Sequence, residues 1–137
     1  MSAKVDRPLP GSTPRMRPFW AAAGQERLTI QRCSQCGKKH FPPVAICSGC
    51  LRDTLDWIDA SGHGTVFSFV VMHHVYHPYF ADKVPYVVAS VKLEEGPRII
   101  SNVIGCDASD VEIGMGVEVT FERAEPEFAL PMFRPSE

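Results

Sequence analysis

Four cysteines have a spacing that suits metal binding. They form two Cys-x-x-Cys pairs with ten residues between the pairs: Cys33, Cys36, Cys47 and Cys50. Zn²⁺ takes thiolates in a tetrahedron, and each tight Cys-x-x-Cys turn delivers two sulfurs to one point. Catalytic zinc keeps one open position, whereas four cysteines fill the site. The spacing therefore predicts a structural zinc site, although an iron centre of the rubredoxin kind would use the same four thiolates.

A histidine-rich stretch is the second candidate site. It follows a predicted strand and contains three histidines and two aromatic residues: His73, His74, His77, Tyr79 and Phe80. A second metal site or acid–base residues would suit these types, but an extended chain points His73 and His74 to opposite faces. No carboxylate cluster lies nearby to complete a catalytic triad. We interpret the stretch as a loop that contacts a ligand or a partner rather than as a catalytic site.

Three further residues have two interpretations each. Cys106 follows Gly105 and has no adjacent base, and a free cysteine is most often a small buried hydrophobe. We therefore predict a structural role for Cys106 rather than a nucleophilic one. Phe19 and Trp20 either anchor a protein partner, as exposed aromatic hot spots do, or pack a helix against the cysteine-rich region.

The elements around the cysteines predict a helix followed by a zinc ribbon. Residues 1–17 contain three prolines and little to bury, which predicts a flexible lead-in. Pro18 suits the first position of a helix, and the strand Leu28–Arg32 then leads into the first cysteine pair. The residues between the pairs cross back as a β-loop, and Leu55–Asp59 forms a short connecting strand. Together these elements predict a helix-and-ribbon unit over residues 18–60.

The rest of the chain, residues 61–137, is a series of β-rich runs without a long helix. The predicted strands span residues 65–72, 86–93, 98–104, 116–122 and 128–133. Pro131 limits the last of them to an edge or a broken strand. Five short strands without crossover helices favour a small closed barrel, most often of the oligonucleotide/oligosaccharide-binding (OB) type. An SH3-like barrel or an open sheet would have a similar pattern.

Charge and hydropathy exclude several functions. Residues 1–60 hold 9 Lys and Arg against 5 Asp and Glu, whereas residues 61–137 hold 5 against 11. Neither half has the dense basic field that non-specific phosphate binding requires, so we expect no nucleic-acid partner. No apolar run approaches the roughly 18 residues of a membrane span, and the first residues lack the apolar region of a secretory signal. These features predict a cytoplasmic protein without a membrane partner.

The order of the motifs resembles the zinc-ribbon/OB-fold acyl-CoA-associated family, long catalogued as a domain of unknown function. The resemblance covers roughly residues 18–133 and implies a mainly β fold: an N-terminal helix, a rubredoxin-like zinc ribbon and a five-stranded OB barrel. It rests on these segments: Pro18–Trp20, Leu28–Cys33, Cys36–Gly37, Phe41–Pro43, Cys47 with Cys50, Trp57, Ser61–Thr65, Pro85–Leu93, Glu95–Gly96 and Ile113–Val119. The chain departs from the pattern at Leu51, where a glycine is frequent, and the histidine-rich stretch matches no motif of the family.

The resemblance also implies a function. Members are usually non-catalytic partners of thiolase-superfamily enzymes, including thiolases and the aldolases of steroid side-chain degradation, and some are fused to acyl-CoA hydratase-like domains. We therefore expect a hetero-oligomer with a thiolase-like or aldolase partner that carries the catalysis. This chain would bind structural zinc, stabilise its partner and help to form the acyl-CoA site. The alternative from another class is a single-strand nucleic-acid binder, because OB barrels with zinc ribbons also serve that function.

Overall fold

The computed structural model describes residues 7–11, 13–126 and 128–136. Within them lie one α-helix and eight β-strands: α1 (Arg17–Gly24), β1 (Thr29–Cys33), β2 (Lys39–His40), β3 (Leu55–Asp59), β4 (His63–Met72), β5 (Tyr86–Leu93), β6 (Arg98–Val103), β7 (Gly116–Glu125) and β8 (Phe128–Pro135). Short 3₁₀ turns span Pro78–Phe80 and Ala108–Asp110. A membrane-crossing helix would need to be longer and more apolar than any that these residues form.

The ribbon is a three-stranded antiparallel sheet in the order β2-β1-β3. β1 lies in the centre and pairs with β3 along its whole length, from Thr29 opposite Asp59 to Cys33 opposite Leu55. β2 contributes two residues, and His40 lies opposite Gln31 of β1. The segment predicted as a connecting strand is therefore an integral part of the ribbon sheet.

Strands β4 to β8 close into a barrel in the order β4-β5-β6-β8-β7, which confirms the five-stranded OB fold. β5 turns one face to the core of the barrel, since its alternate residues are buried while those between them are more exposed. The buried residues of β5 are Val87, Ala89, Val91 and Leu93. The strand was predicted as one of a series of β-rich runs, and the structure adds this period of two.

The expectation that Pro131 limits β8 to an edge or a broken strand is wrong. β8 runs without interruption between β6 and β7 inside the closed barrel. A proline is tolerated there because β8 pairs with β6 only where Val103 lies opposite Phe133, away from Pro131. On that side the Ser101 hydroxyl donates a hydrogen bond to the Pro131 carbonyl at 2.8 Å, in place of a regular ladder.

The ribbon, the helix and the barrel share one hydrophobic core. Phe19 of α1 and Ile30 of β1 belong to the same cluster of buried side chains as Val66 and Phe133 of the barrel. α1 also packs against β8, and Arg123 of β7 donates a hydrogen bond to the last helical carbonyl, Gly24 O, at 2.9 Å. As predicted, a proline occupies the first turn of the helix.

The N-terminal segment contacts the barrel where the structure describes it. Arg7 donates a hydrogen bond from Nη1 to Oε1 of Glu122 at 2.7 Å, and Met16 packs against the core. The flexibility predicted for residues 1–17 concerns, in part, residues 1–6 and Ser12, which lie outside the described residues. The division into units at residues 18–60 and 61–137 remains a prediction.

Candidate metal centre and partner-facing surface

Two backbone knuckles position the four cysteines. In the first, the Gly37 N–H donates to the Cys33 carbonyl at 2.9 Å, and in the second the Leu51 N–H donates to the Cys47 carbonyl at 2.8 Å. The first knuckle begins at the last residue of β1, and the second precedes β3. Because β1 and β3 are paired, the sheet brings two turns that lie far apart in sequence to one place.

The sulfur atoms form a cluster of the size that zinc requires. All four Sγ atoms lie within 4.8 Å of one another. The Cys33–Cys50 and Cys36–Cys47 sulfur pairs are both 3.5 Å apart. Tetrahedral Zn²⁺ with Zn–S bonds of about 2.3 Å places its sulfurs about 3.8 Å apart. The donor set and its spacing therefore fit a closed, structural zinc site.

The electrostatics of the cluster favour a bound cation. A hydrogen bond with the Thr54 hydroxyl, supported by the backbone N–H of Cys36, lowers the pKa of Cys33 to about 5. The Arg52 N–H lowers the pKa of Cys50, but burial and the other three cysteines outweigh it and raise that pKa to about 11. Four thiolates in this space repel one another, so they ionise together only when a cation offsets their charge.

Two side chains that sequence analysis did not single out contact the sulfurs. The Thr54 hydroxyl oxygen lies 3.3 Å from Cys33 Sγ, and the His40 Nε2 lies 3.3 Å from Cys47 Sγ. Both contacts depend on strand register and backbone geometry rather than on a local motif. Only one hint of these two contacts was present in the sequence, namely that polar residues lie at the edges of the cysteine-rich region.

The two helix aromatics have different positions. Phe19 is only 2% exposed and packs against Phe41 of the ribbon loop, with ring centroids 5.1 Å apart. Phe19 thus fills the packing role, and its burial contradicts the expectation that it anchors a partner. Trp20 is half-buried and stacks on Phe128 of β8 at 4.9 Å, so contact between Trp20 and a partner remains a prediction.

The histidine-rich stretch is an aromatic loop and not a metal cluster. His77 Nδ1 accepts a hydrogen bond from the Tyr79 N–H at 3.1 Å. The Tyr79 ring lies near the Lys83 ammonium, 4.3 Å from its centroid, and Phe80 packs on Tyr86. His73 and His74 are exposed. Among the described residues, only the four ribbon cysteines gather three or more metal-ligating groups. A ligand or partner role for this loop remains a prediction.

Cys106 lies in an environment that opposes nucleophilic chemistry. Burial raises the pKa of its thiol, and the nearby carboxylates of Asp110 and Asp107 raise it further. In the described part of the chain, no hydrogen bond joins this thiol or any of the three loop histidines to a carboxylate. A nucleophile needs a lowered pKa or an adjacent base, so this environment disfavours a nucleophilic role, and the structural role of Cys106 remains a prediction.

Exposed and half-buried apolar side chains lie on the outer face of β4, β5 and β6. We call this surface the outer strip: Phe67, Val70, Val88 and Ile100. Phe67 is 50% exposed, Val70 55% and Ile100 70%. Ile100 also borders a groove of about 330 Å³ that extends to Trp20 and Phe41. The sequence hint of this surface was the nearly unbroken apolar run of β4. A strand with one face in water normally alternates apolar and polar residues, so a run without alternation has apolar side chains on both faces.

Both halves of the chain match known protein families. Residues 20–56 match the family described as "ChsH2, rubredoxin-like zinc ribbon domain". Residues 57–122 match the one described as "ChsH2, C-terminal OB-fold domain". These matches agree with the ribbon and the barrel of the structure, and they make the four-cysteine cluster the metal site of a zinc ribbon.

The chain is also similar to individual proteins. It is 43% identical to a "Probable enoyl-CoA hydratase alpha subunit" of Thermomonospora curvata over 97% of this chain, but it spans only 41% of that relative's length. It is 41% identical to a "DUF35 domain-containing scaffold protein" of Methanothermobacter thermautotrophicus, covering 73% of this chain and 75% of the relative.

Among solved structures, the fold matches a chain of the "Ltp2-ChsH2(DUF35) aldolase" with a TM-score of 0.85. The identity is 41%, and the match covers 93% of this chain and 98% of the other. The two chains therefore share the same overall fold along nearly their whole lengths. On these similarities in sequence and fold, the chain belongs to the DUF35 family of zinc-ribbon and OB-fold proteins.

Proposed function

We propose that this chain is a non-catalytic accessory subunit that binds a thiolase-superfamily enzyme, either a thiolase or an aldolase, that acts on acyl-CoA. In this proposal the chain stabilises its partner and helps to form the acyl-CoA site. The names of the relatives support a subunit role, since they include a scaffold protein, an alpha subunit and a chain of an aldolase complex. The protein would act in the cytoplasm, where thiols stay reduced and available to a metal.

The observation that carries this proposal is the outer strip. Monomeric proteins rarely expose a contiguous apolar surface of this kind, and such surfaces usually mark a site of protein association. Val70, Val88 and Ile100 line one shallow depression on the barrel, so these side chains from three strands are contiguous. An open sheet face with apolar side chains at its centre suits a protein partner better than a small polar ligand.

The polar rim of the strip supports the same conclusion. The Arg98 guanidinium carbon lies 4.4 Å from the centroid of the Phe67 ring, so a charged group flanks one of the most exposed aromatics. Interfaces commonly combine an apolar centre with a rim that contains arginine. The acidic excess of residues 61–137 disfavours a nucleic acid on the same barrel, because phosphates would be repelled.

Catalysis would come from the partner. The zinc site has four thiolate ligands and no open position for a substrate or a water. Neither Cys106 nor the histidine loop offers a nucleophile paired with a base, as described above. The chain therefore supplies surface and stability, and the enzyme that it joins supplies the reacting groups.

The first test is affinity purification of the tagged, zinc-loaded chain from its native lysate, followed by mass spectrometry. We expect a thiolase-type or aldolase-type enzyme in near-stoichiometric amount. Recovery of an acyl-CoA hydratase without a thiolase-type enzyme would overturn the partner class. Recovery of nucleic acid in place of any acyl-CoA enzyme would overturn the function as a whole.

The second test locates the interface with a matched pair of substitutions. Ile100→Asp places a charge in the outer strip, whereas Ile46→Asp places one in the ribbon loop, where the isoleucine is 53% exposed. We expect Ile100→Asp to abolish co-purification of the enzyme, and Ile46→Asp to preserve it, with both chains retaining zinc. Loss of the complex with Ile46→Asp alone would move the interface from the barrel to the ribbon.

A further inference from the structure

Side-chain and backbone groups contact the two buried sulfurs of the zinc site. Cys33 and Cys47 are buried, Cys50 is half-buried and Cys36 is exposed. Water can hydrate an exposed thiolate, but a buried one needs donors from the protein. Thr54 contacts Cys33, and both the Gly49 N–H and the His40 ring contact Cys47, each at 3.3 Å.

His40 is itself a buried polar residue, only 8% exposed. Its position follows from the ribbon sheet, in which it lies opposite Gln31 across the β1–β2 pair. Gln31 is also buried and accepts a hydrogen bond from the Val44 N–H at 2.7 Å, which fixes the loop between the cysteine pairs. The His40 ring is therefore held at one face of the sheet, with Nε2 directed to Cys47 Sγ.

The chemistry of the metal site decides which atom donates. A cysteine bound to zinc is a thiolate and carries no proton. The only hydrogen available to the 3.3 Å contact is therefore the one on Nε2 of His40. This bond from an N–H to a thiolate is charge-assisted, and it stabilises the negative charge on sulfur.

From this geometry we propose that His40 is a positioning residue of the zinc centre, whose Nε2–H holds Cys47 as a thiolate and retards loss of the metal. Outer-shell partners of this kind typically change metal affinity by about 10- to 100-fold. The inference concerns the zinc site alone and does not depend on the proposed accessory function.

The test compares His40→Gln with His40→Leu in the full chain. Glutamine carries an N–H donor at a similar reach, whereas leucine fills space without donating. We expect His40→Leu to transfer zinc to a colorimetric chelator about tenfold faster than the wild-type chain, and His40→Gln to remain close to wild type. His63→Leu, which changes an exposed histidine at the start of the barrel, is the matched control and should have no effect.

Cobalt substitution separates hydrogen bonding from packing. A hydrogen bond lowers the energy of the sulfur lone pairs, so its loss should shift the sulfur-to-cobalt charge-transfer band to longer wavelength in His40→Leu but not in His40→Gln. If both variants released zinc at the same rate as each other and neither shifted the charge-transfer band, His40 would have a packing role only. The same conclusion would follow if both variants lost zinc faster than the wild-type chain to an equal degree.

A measurement on the wild-type chain covers the case in which His40→Leu fails to fold. Nitrogen-15 NMR of the zinc-loaded protein reports which ring nitrogen carries hydrogen. We expect a protonated Nε2 on His40. A bare Nε2 facing Cys47 would overturn the proposal without any substitution.

Discussion

Gly37 and Leu51 occupy equivalent positions in the two knuckles, and both have a left-handed backbone. Their φ angles are 79° and 62°, and each donates its N–H to the carbonyl of the first cysteine of its pair. This conformation suits glycine, because a side chain crowds the following carbonyl. The resemblance to the family leads us to expect a glycine at position 51, and this backbone conformation gives the reason.

Leu51→Gly should stabilise the protein. The left-handed conformation costs a non-glycine residue roughly 1–2 kcal/mol, and the added chain entropy of glycine costs about 0.5–1 kcal/mol. Leu51 is 78% exposed, so little packing is lost. We expect the free energy of unfolding to rise by about 0.5–1 kcal/mol, measured by urea titration at fixed free zinc.

Gly37→Ala is the converse control. A Cβ there would meet only the Arg32 Nη2 at 3.9 Å, so the substitution tests the backbone and not a clash. We expect a loss of about 1 kcal/mol. A Leu51→Gly chain that is less stable than wild type would contradict the equivalence of the two knuckles.

The metal should be zinc, at one ion per chain, and it should hold the ribbon together. Elemental analysis of the purified chain should find zinc, and the protein should be colourless, whereas an iron centre would absorb visible light. Removal of the metal by a chelator should lower the melting temperature, because binding to four thiolates contributes on the order of 10 kcal/mol to such sites.

Paired cysteine substitutions make the metal test specific. Cys47→Ala removes a buried ligand, and Cys106→Ala removes the cysteine outside the cluster. We expect the first to lose zinc and the second to keep one ion per chain. Loss of zinc from Cys106→Ala would contradict the assignment of the ligands.

Gly64→Ala should destabilise the barrel. A Cβ at this position would lie 2.6 Å from the Lys92 carbonyl oxygen and 2.9 Å from a methyl carbon of Val91. The backbone of β5 cannot yield as a flexible side chain would, so we expect a loss of about 2 kcal/mol, as in an overpacked core. Thermal unfolding and urea unfolding of the Gly64→Ala chain measure this loss of stability.

Gly11→Ala serves as the control for that clash, because nothing lies within 4 Å of its Cβ position. We expect its stability to match the wild type. An equal loss in both variants would mean that the close approach of β4 and β5 at Gly64 is not the cause.

Cys106 should react slowly with thiol reagents at neutral pH. Burial and the carboxylates of Asp110 and Asp107 raise the pKa of its thiol above the ordinary value. A raised pKa means less thiolate at pH 8, so the alkylation rate should stay below that of a free cysteine and keep rising beyond pH 9. The rate is measured against pH with zinc-loaded protein.

Asp110→Asn tests whether the carboxylate of Asp110 raises the pKa of the Cys106 thiol. Removing the negative charge lowers the pKa of the Cys106 thiol, so the rate at pH 8 should increase. Asp82→Asn, which removes an exposed carboxylate in another loop, should leave the rate unchanged. A slower reaction in Asp110→Asn would contradict the electrostatic cause.

Under the proposed function, the basic side chains of the ribbon should contribute to acyl-CoA binding in the complex. Arg32 lies opposite Lys39 across the β1–β2 pair, and the neighbouring Lys38 donates to the Ser48 hydroxyl at 2.7 Å. With Arg32, Lys38 and Lys39 all changed to alanine, we expect acyl-CoA to bind about tenfold more weakly, since exposed charges contribute up to about 1 kcal/mol each. Calorimetry on the assembled complex measures this change.

The matched control is Lys92→Ala, which removes an exposed cation from the barrel. It should leave acyl-CoA binding unchanged. Unaltered acyl-CoA and partner binding in the triple variant would exclude a role for the basic ribbon, while a triple variant that lost only its partner would assign these residues to the protein interface.

Local patterns predicted much of this structure. Two close cysteine pairs specify a zinc ribbon because each pair supplies its sulfurs from one turn. Strand β5 was predicted at its observed bounds, Tyr86–Leu93, because a β-rich run of residues ends there at a turn signal. The closed barrel followed from the absence of crossover helices, and β3 was found at Leu55–Asp59 as expected.

Contacts that depend on register or on distant pairing were not predictable in this way. The His40–Cys47 contact requires the pairing of β1 with β2, and the Arg7–Glu122 ion pair joins residues 115 positions apart. The low propensity of proline for strands led to the wrong expectation for β8. Propensity does not tell which side of a strand lacks regular backbone hydrogen bonds. The outer strip depends on which faces of three strands the barrel turns outward.

The shared core of ribbon and barrel has a consequence for regulation by metal supply. Because Phe19 and Ile30 pack in the same cluster as Val66 and Phe133, the two parts should unfold as one cooperative unit. Under the proposed function, occupancy of the zinc site and assembly of the enzyme complex are then linked equilibria. A cell short of zinc would lose assembled enzyme, and abundant enzyme would in turn help this chain to retain its metal.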